Sequence, residues 1–137
     1  KQIAITETED VLTKHPKNIS HYRTAIRTYY DLSSIDPEYN QKLVDIFDQA
    51  ISLAPTDAKL LYNKGLILGQ LQRIPEAIET LKRSVELKPN YRDAQYTLGV
   101  LLKEVGEDQA ALDQMEIVLK LIPNDVEAIE KIAEWKK

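Results

Sequence analysis

Pro55, Pro89 and Pro123 stand 34 residues apart, and each follows a leucine by two positions, Leu53, Leu87 and Leu121. A period of that length points to stacked helical hairpins, each covering the apolar face of the next, and away from a globular core with one centre. Gly65 and Gly99, Tyr62 and Tyr96, Ala77 and Ala111, and Asn90 and Asn124 keep the same spacing, so the register holds inside each repeat as well as at its end. A chain patterned in this way is a repeat scaffold.

The clearest repeat runs over residues 58–91. Its first helix is expected at about 58–70, with Leu61, Gly65 and Leu68 along one buried stripe at spacings of four and three. The hairpin turn falls at Gln72 to Ile74, and Pro75 suits the opening of the second helix, where its missing N–H costs nothing. Ala77, Ile78, Leu81, Ser84 and Val85 form that helix's inner face, and Pro89 ends it. The repeat at 92–125 follows the same plan with Leu98, Gly99 and Leu102, then Ala111, Leu112, Met115, Val118 and Leu119. Gly106 makes its turn, and Asn124 or Asp125 caps the helix that follows.

Upstream, Pro16 precedes Pro55 by 39 residues, so the repeat at 19–57 carries five extra residues, placed in 31–40. Tyr22, Ala25, Ile26 and Tyr29 supply its first helix and Leu43, Phe47, Ala50 and Ile51 its second. A longer loop or an extended helix is expected between them, with Asp36-Pro37 as a helix start. Residues 1–18 read as the second helix of a further repeat, through Ala4, Ile5, Thr8, Val11 and Leu12. That half-repeat and the leading Lys1 lead us to expect a piece of a longer protein. Residues 126–137 read as a capping helix with Ile129, Ile132 and Ala133 inward and Glu127, Glu130, Lys136 and Lys137 outward.

Other chemistries find little support. The net charge is −4 and no run of Lys and Arg forms a phosphate-binding stripe, so nucleic acid is not expected as a partner. There is no cysteine, hence no disulfide, thiol catalysis or cysteine-based zinc site. No apolar run reaches the roughly 20 residues of a membrane span, and the segment is expected to be soluble, in the cytoplasm or attached to a larger membrane protein. His15 and His21, the two histidines, lie six apart without a carboxylate cluster, which argues against a metal. Gly65 and Gly69 form a small-xxx-small pair that close helix packing accounts for. No nucleophile motif, phosphate-binding glycine loop or apolar-embedded carboxylate is present, so neither catalysis nor a cofactor is expected.

The residues Tyr22-Ala25-Ile26-Tyr29, Leu61-Lys64-Gly65-Leu68 and Gln95-Leu98-Gly99-Leu102, followed by Leu43-Phe47-Ala50-Pro55, Ala77-Leu81-Ser84-Pro89 and Ala111-Met115-Val118-Pro123, resemble the tetratricopeptide repeat. Nearly the whole chain is covered. Gln95 replaces the family's large residue, and Leu68 and Leu102 replace its tyrosine. The resemblance implies an all-α, right-handed superhelical solenoid of antiparallel helix hairpins, in one domain, whose first helices line a concave groove for extended peptides or partner helices.

On that implied groove, Arg23 and Arg27 share a face of the first repeat's helix, with Thr24 and Tyr30 beside them. Lys59, Tyr62, Asn63 and Leu66 take the same face in the next repeat, and Asp93, Tyr96, Thr97, Val100 and Glu104 in the one after. The face is basic at its N-terminal part, tyrosine-rich and aliphatic in the middle, and acidic toward Glu127 and Glu130. Some members of the family clamp a terminal carboxylate with Lys and Asn, and Arg23, Arg27 and Asn63 fall where such residues stand. The later basic pair of that clamp is replaced by Asp93 and Thr97, which argues against a chaperone-type acidic tail. The bland alternative is that Arg23 and Arg27 solvate the helix or pair with Asp31, and that Tyr62 and Tyr96 are packing residues.

Three roles follow. The first is a protein-interaction module that grips a peptide, tail or helix, including one with an acidic or carboxylate group. The second is an accessory domain of a larger enzyme, since the stretched repeat around Tyr22 to Pro55 followed by regular ones is similar to the repeat region of bacterial O-antigen ligase-like proteins. The third is self-assembly through the unpaired N-terminal helix.

Overall fold

The computed structural model describes residues 2–137, which hold eight α-helices and one short 3-10 turn. The helices are α1 (Gln2–Lys14), α2 (Ile19–Ile35), α3 (Asn40–Leu53), α4 (Ala58–Gln70), α5 (Ile74–Leu87), α6 (Arg92–Glu104), α7 (Asp108–Leu121) and α8 (Val126–Trp135). The fold is all-α, built of helix hairpins, and it divides into two compact units, one ending at Leu60 and the other starting at Leu61.

In the first unit α2 packs on α3 and on α1. Its core is Tyr22, Ala25, Tyr29 and Leu32 from α2, Leu43, Ile46, Phe47 and Ala50 from α3, and Leu12 from α1, all buried. Each large side chain so buried contributes roughly 1.5–3 kcal/mol before ordering costs. The surplus residues resolve into helix and turn together. Helix α2 has 17 residues against 13 in α4 and α6, an added turn. It stops at Asp36, whose carboxylate accepts the Glu38 N–H (3.0 Å) and starts the 3-10 turn Pro37–Tyr39. Tyr29 donates its hydroxyl to Glu9, which also pairs with Lys42 (3.2 Å), so polar contacts tie all three helices. Burial and the nearby Glu9 raise the Tyr29 phenol, keeping it protonated as a donor.

The second unit holds α4 to α8 beyond the boundary residue. Leu61, Leu68, Ala77, Leu81, Leu98, Ala111, Met115 and Val118 form its buried core. Both glycines sit at close approaches: a Cβ on Gly65 would lie 2.7 Å from Leu81 Cγ, the branch carbon, and one on Gly99 2.7 Å from the flexible Met115 Cε. Both hairpin turns use a left-handed residue at one register position, Gln72 (φ 61°) and Gly106 (φ 83°). Only the glycine adopts that conformation without strain.

Gln95, which departs from the family pattern, is buried and satisfied. Its amide donates to the Pro89 carbonyl (2.9 Å) and its oxygen accepts from Gln114 (2.6 Å). In the first unit Tyr22 donates to the Pro16 carbonyl (3.0 Å) from the corresponding place in its helix. The same side-chain position thus ties the first helix to the proline before it in both units.

The last helix departs from expectation. Asp125 caps α8, accepting the Ala128 N–H (3.0 Å), and Ile132 packs against the cluster of Met115, Val118 and Ala128. Ile129 is 47% exposed, however, and Ala133 is exposed as well, so only part of the stripe turns inward. The helix rotates to bury Ala128 and Ile132 beneath α7, which leaves Ile129 and Ala133 on the far side. Val11 of α1, also expected inward, is 37% exposed.

Candidate functional site

In the second unit Tyr62, Asn63 and Leu66 lie on one face of α4, and Tyr96, Thr97 and Val100 on one face of α6, all of them half-buried. The two helices meet there through a side-chain hydrogen bond between Tyr62 and Thr97. The Tyr62 ring packs against Tyr91, with centroids 5.0 Å apart at a tilt of 49°. The Tyr91 ring carries the Lys88 ammonium at 4.9 Å, and Arg92 stacks over Tyr96 at 4.6 Å. Tyr96 and Val100 also lean on the cluster around Met115. Packing and surface roles therefore coexist in one side chain: each tyrosine is anchored by its ring and leaves part of its surface to solvent. Burial pushes both phenols above their ordinary range, so they remain protonated donors at neutral pH.

Arg92 organises this band. Its Nε and Nη2 reach the two Asp125 oxygens at 2.7 and 2.8 Å, and it also contacts Glu127 (2.8 Å) and Asp93 (3.1 Å). The Arg92 guanidinium and the Ala128 N–H hold the Asp125 carboxyl below its usual range, and Asp125 in turn raises Arg92. A fork of this kind fixes geometry as well as charge. The acidic residues Asp93 and Glu127, expected as an open acidic end, are thus partly occupied by an internal cation.

In the first unit Arg23, Arg27 and Tyr30 line the exposed side of α2. Arg23 pairs with Asp57 (2.7 Å) and not with Asp31. Asp57 is drawn toward the start of α4, where it accepts the Lys59 and Leu60 N–H groups as a helix cap, whereas Asp31 sits two turns further along α2 from Arg23. Partial burial opposes charge on Asp57, but Arg23 and those N–H groups outweigh it and lower its pKa. Arg27 is exposed and has no carboxylate partner among the described residues. Tyr30 is 46% exposed.

Sequence reasoning missed Tyr91 and Arg92, and read Asp125 only as a helix cap, not as the partner of Arg92. The available signal was spacing: Arg23 to Asp57 and Arg92 to Asp125 are 34 and 33 residues apart, one repeat. It also missed a cavity of about 720 Å³ between α5, α6 and α7, with apolar walls from Ile78, Val85, Leu98, Leu102 and Val105. Among the described residues no group of His, Asp and Glu is arranged to hold a metal ion, and no helix is long and apolar enough to cross a membrane.

Comparison with known proteins agrees with this geometry. Residues 58–91 match the family model of the tetratricopeptide repeat. Tetratricopeptide repeat protein 33 of Xenopus laevis is 30% identical over 91 residues, 66% of this chain and 35% of that protein. The human protein O-mannosyl-transferase TMTC1 is 27% identical over 134 residues, 93% of this chain but 15% of its own length. The chain therefore spans about a third or less of either relative. Among solved structures, the first tetratricopeptide domain of Spaghetti (RPAP3), bound to the HSP90 peptide SRMEEVD, superposes with a TM-score of 0.74 at 18% identity, covering 86% of this chain and 90% of that one.

Proposed function

Because the chain belongs to the tetratricopeptide-repeat family, we propose that it is a protein-interaction scaffold that holds an extended peptide, tail or helix against the first helices of its repeats. The observation that carries this reading is the tyrosine band of the second unit. Tyr62 and Tyr96 are held by Thr97, Tyr91 and Arg92, so a ligand meets rings that are already ordered and the entropic cost of binding is lowered. Tyrosine fixed in that way is the usual anchor of an interface. Asn63, Leu66, Thr97 and Val100 border the rings and offer amide, hydroxyl and aliphatic contacts.

The first unit offers a different contact. Arg23, Arg27, Tyr30 and Lys59 suit a carboxylate or an acidic side chain, with Arg27 available and Arg23 released from Asp57 on binding. The peptide SRMEEVD bound by the RPAP3 domain is acidic and supports an acidic partner in general, while Asp93 and Thr97 weigh against a tail of that chaperone type. The reading treats 1–18, 19–57, 58–91, 92–125 and 126–137 as successive parts of one repeat domain. A second reading, an accessory module of a larger enzyme, is favoured by the alignment of 93% of the chain within 15% of the O-mannosyl-transferase; the module itself is non-catalytic in this reading.

Fluorescence anisotropy with labelled acidic peptides carrying a free carboxyl end tests the proposal. Arg23→Glu with Arg27→Glu should weaken binding roughly tenfold or more, and amidating the peptide should have a similar effect. Binding that ignores both changes would place the carboxylate contact elsewhere.

A further inference from the structure

The cavity of about 720 Å³ between α5, α6 and α7 is walled by two consecutive repeats, 58–91 and 92–125, and lies wholly within the second unit. On α6 it is lined by Leu98 and Leu102, with Val105 just past the helix end, residues spaced four and three apart and so on one stripe. At about 100° per residue that stripe points away from Tyr96, Thr97 and Val100, so the cavity and the tyrosine band take opposite sides of one helix. On α5 the lining runs from Pro75 to Glu86, about 16 Å of helix and about three turns. The cavity is therefore a trough, the shape that seats another helix.

Its rim is acidic. Glu86, Glu107 and Asp113 stand around it, with Lys82 as the cation among the lining residues. Asp113 accepts the Gln109 amide (2.9 Å), whereas Glu86 and Glu107 have no cation partner among the described residues. Val85 is half-buried and Val105 is 45% exposed, so apolar surface meets solvent between these carboxylates. This character is not part of the repeat plan. One period earlier the places of Leu98, Glu107 and Ala110 are held by Lys64, Arg73 and Glu76, and Arg73 donates to the two Glu76 oxygens at 3.0 and 2.7 Å. The repeat at 92–125 removes both halves of that ion pair. Ala110 ends at its Cβ where the earlier glutamate continues, and Glu107 reverses the charge of the earlier arginine.

We propose that the trough is a second docking surface, away from the tyrosine band, for an amphipathic helix of a partner protein whose apolar stripe is flanked by lysine or arginine. Large apolar side chains at every third and fourth position of such a helix match Ile78, Val85 and Val105 along the trough, and the flanking cations meet Glu86 and Glu107. An acidic peptide is repelled by the same rim, so the two surfaces select partners of opposite charge. The assignment goes beyond the peptide-binding reading and does not depend on it.

The test is fluorescence anisotropy with a labelled peptide of leucine and lysine, about 14 residues long, in which leucine repeats at helical spacing. The chain should bind it, and a version with glutamate in place of every lysine should bind at least roughly tenfold more weakly. Glu107→Arg with Ala110→Glu installs the ion pair that the preceding repeat already carries. It should weaken the lysine peptide at least roughly tenfold while circular dichroism stays unchanged. Glu86→Lys, at an exposed site, should weaken it independently, and Tyr62→Ala with Tyr96→Ala should leave it unaffected. No binding of the lysine peptide at millimolar concentration, equal binding of the glutamate version, or binding that ignores the changes at Glu107 and Ala110 would overturn the proposal.

Discussion

The repeats at 58–91 and 92–125 can be laid on one another position by position, and they differ where it matters most. Their helices have equal lengths, 13 and 14 residues in each. Yet Leu61 faces Gln95, Gln72 faces Gly106, and Tyr91 faces Asp125 in that superposition. Gly65 and Gly99 keep their residue where a neighbouring side chain comes within 2.7 Å of a Cβ position, whereas Asn90 and Asn124 are kept at exposed positions. Two of the changed positions change together with a partner. Gln95 is accompanied by Gln114, and Asp125 by Arg92, whereas Tyr91 finds the Tyr62 ring. The fold thus fixes register by steric demand and allows the chemistry of the face to vary.

The strongest way to break the comparison is Arg92→Ala. It would leave the Asp125 side chain, only 8% exposed, without its forked cation, at a cost of about 3 kcal/mol in urea denaturation. The pH dependence follows. Because Asp125 is held below its ordinary range, its contribution is complete above about pH 4, the unfolded value, and is lost as the pH falls through the folded one. The stability gap between wild type and variant should therefore close on acidification.

Next in size is the pair of glycines. Gly65→Ala forces a methyl against the branch carbon of Leu81 and should cost about 2 kcal/mol. Gly99→Ala meets the flexible end of Met115, so helix propensity offsets much of the strain and the loss should stay below about 1 kcal/mol. Equal losses would show that the two close approaches are not distinct. The turns then give opposite signs: Gln72→Gly should stabilise by about 0.5–1 kcal/mol, and Gly106→Ala should destabilise by about 1 kcal/mol. Thermal melts of both variants would show whether the two turns are equivalent. Smallest is Gln95→Leu, which makes the second repeat like the first. The lost bonds to Pro89 and Gln114 are countered by apolar burial, and the net change should lie within about 0.5 kcal/mol.

Helix order and the two hairpin turns were legible in the sequence because Pro, Gly and the apolar stripe are local signals. Gly106 and Pro75 sit where their backbone chemistry requires. The tyrosine face was legible as a recurrence of Tyr62 and Tyr96, but the residues that hold it were not. Arg92, Tyr91 and Asp125 act through contacts one repeat apart, and no local pattern distinguishes a charge that reaches across a repeat from one that points to water. The same reason explains Ile129 and Ala133, whose apolar spacing reads as inward although the helix they belong to has α7 on one side only.

The most direct test of the scaffold reading is a ¹H–¹⁵N spectrum of the chain titrated with an acidic peptide that binds it. Shifts concentrated on Tyr62, Asn63, Leu66, Tyr96, Thr97 and Val100, and abolished by Tyr62→Ala with Tyr96→Ala, are the expected result. Shifts confined instead to Ile78, Val85 and Val105, around the cavity between α5, α6 and α7, would contradict it.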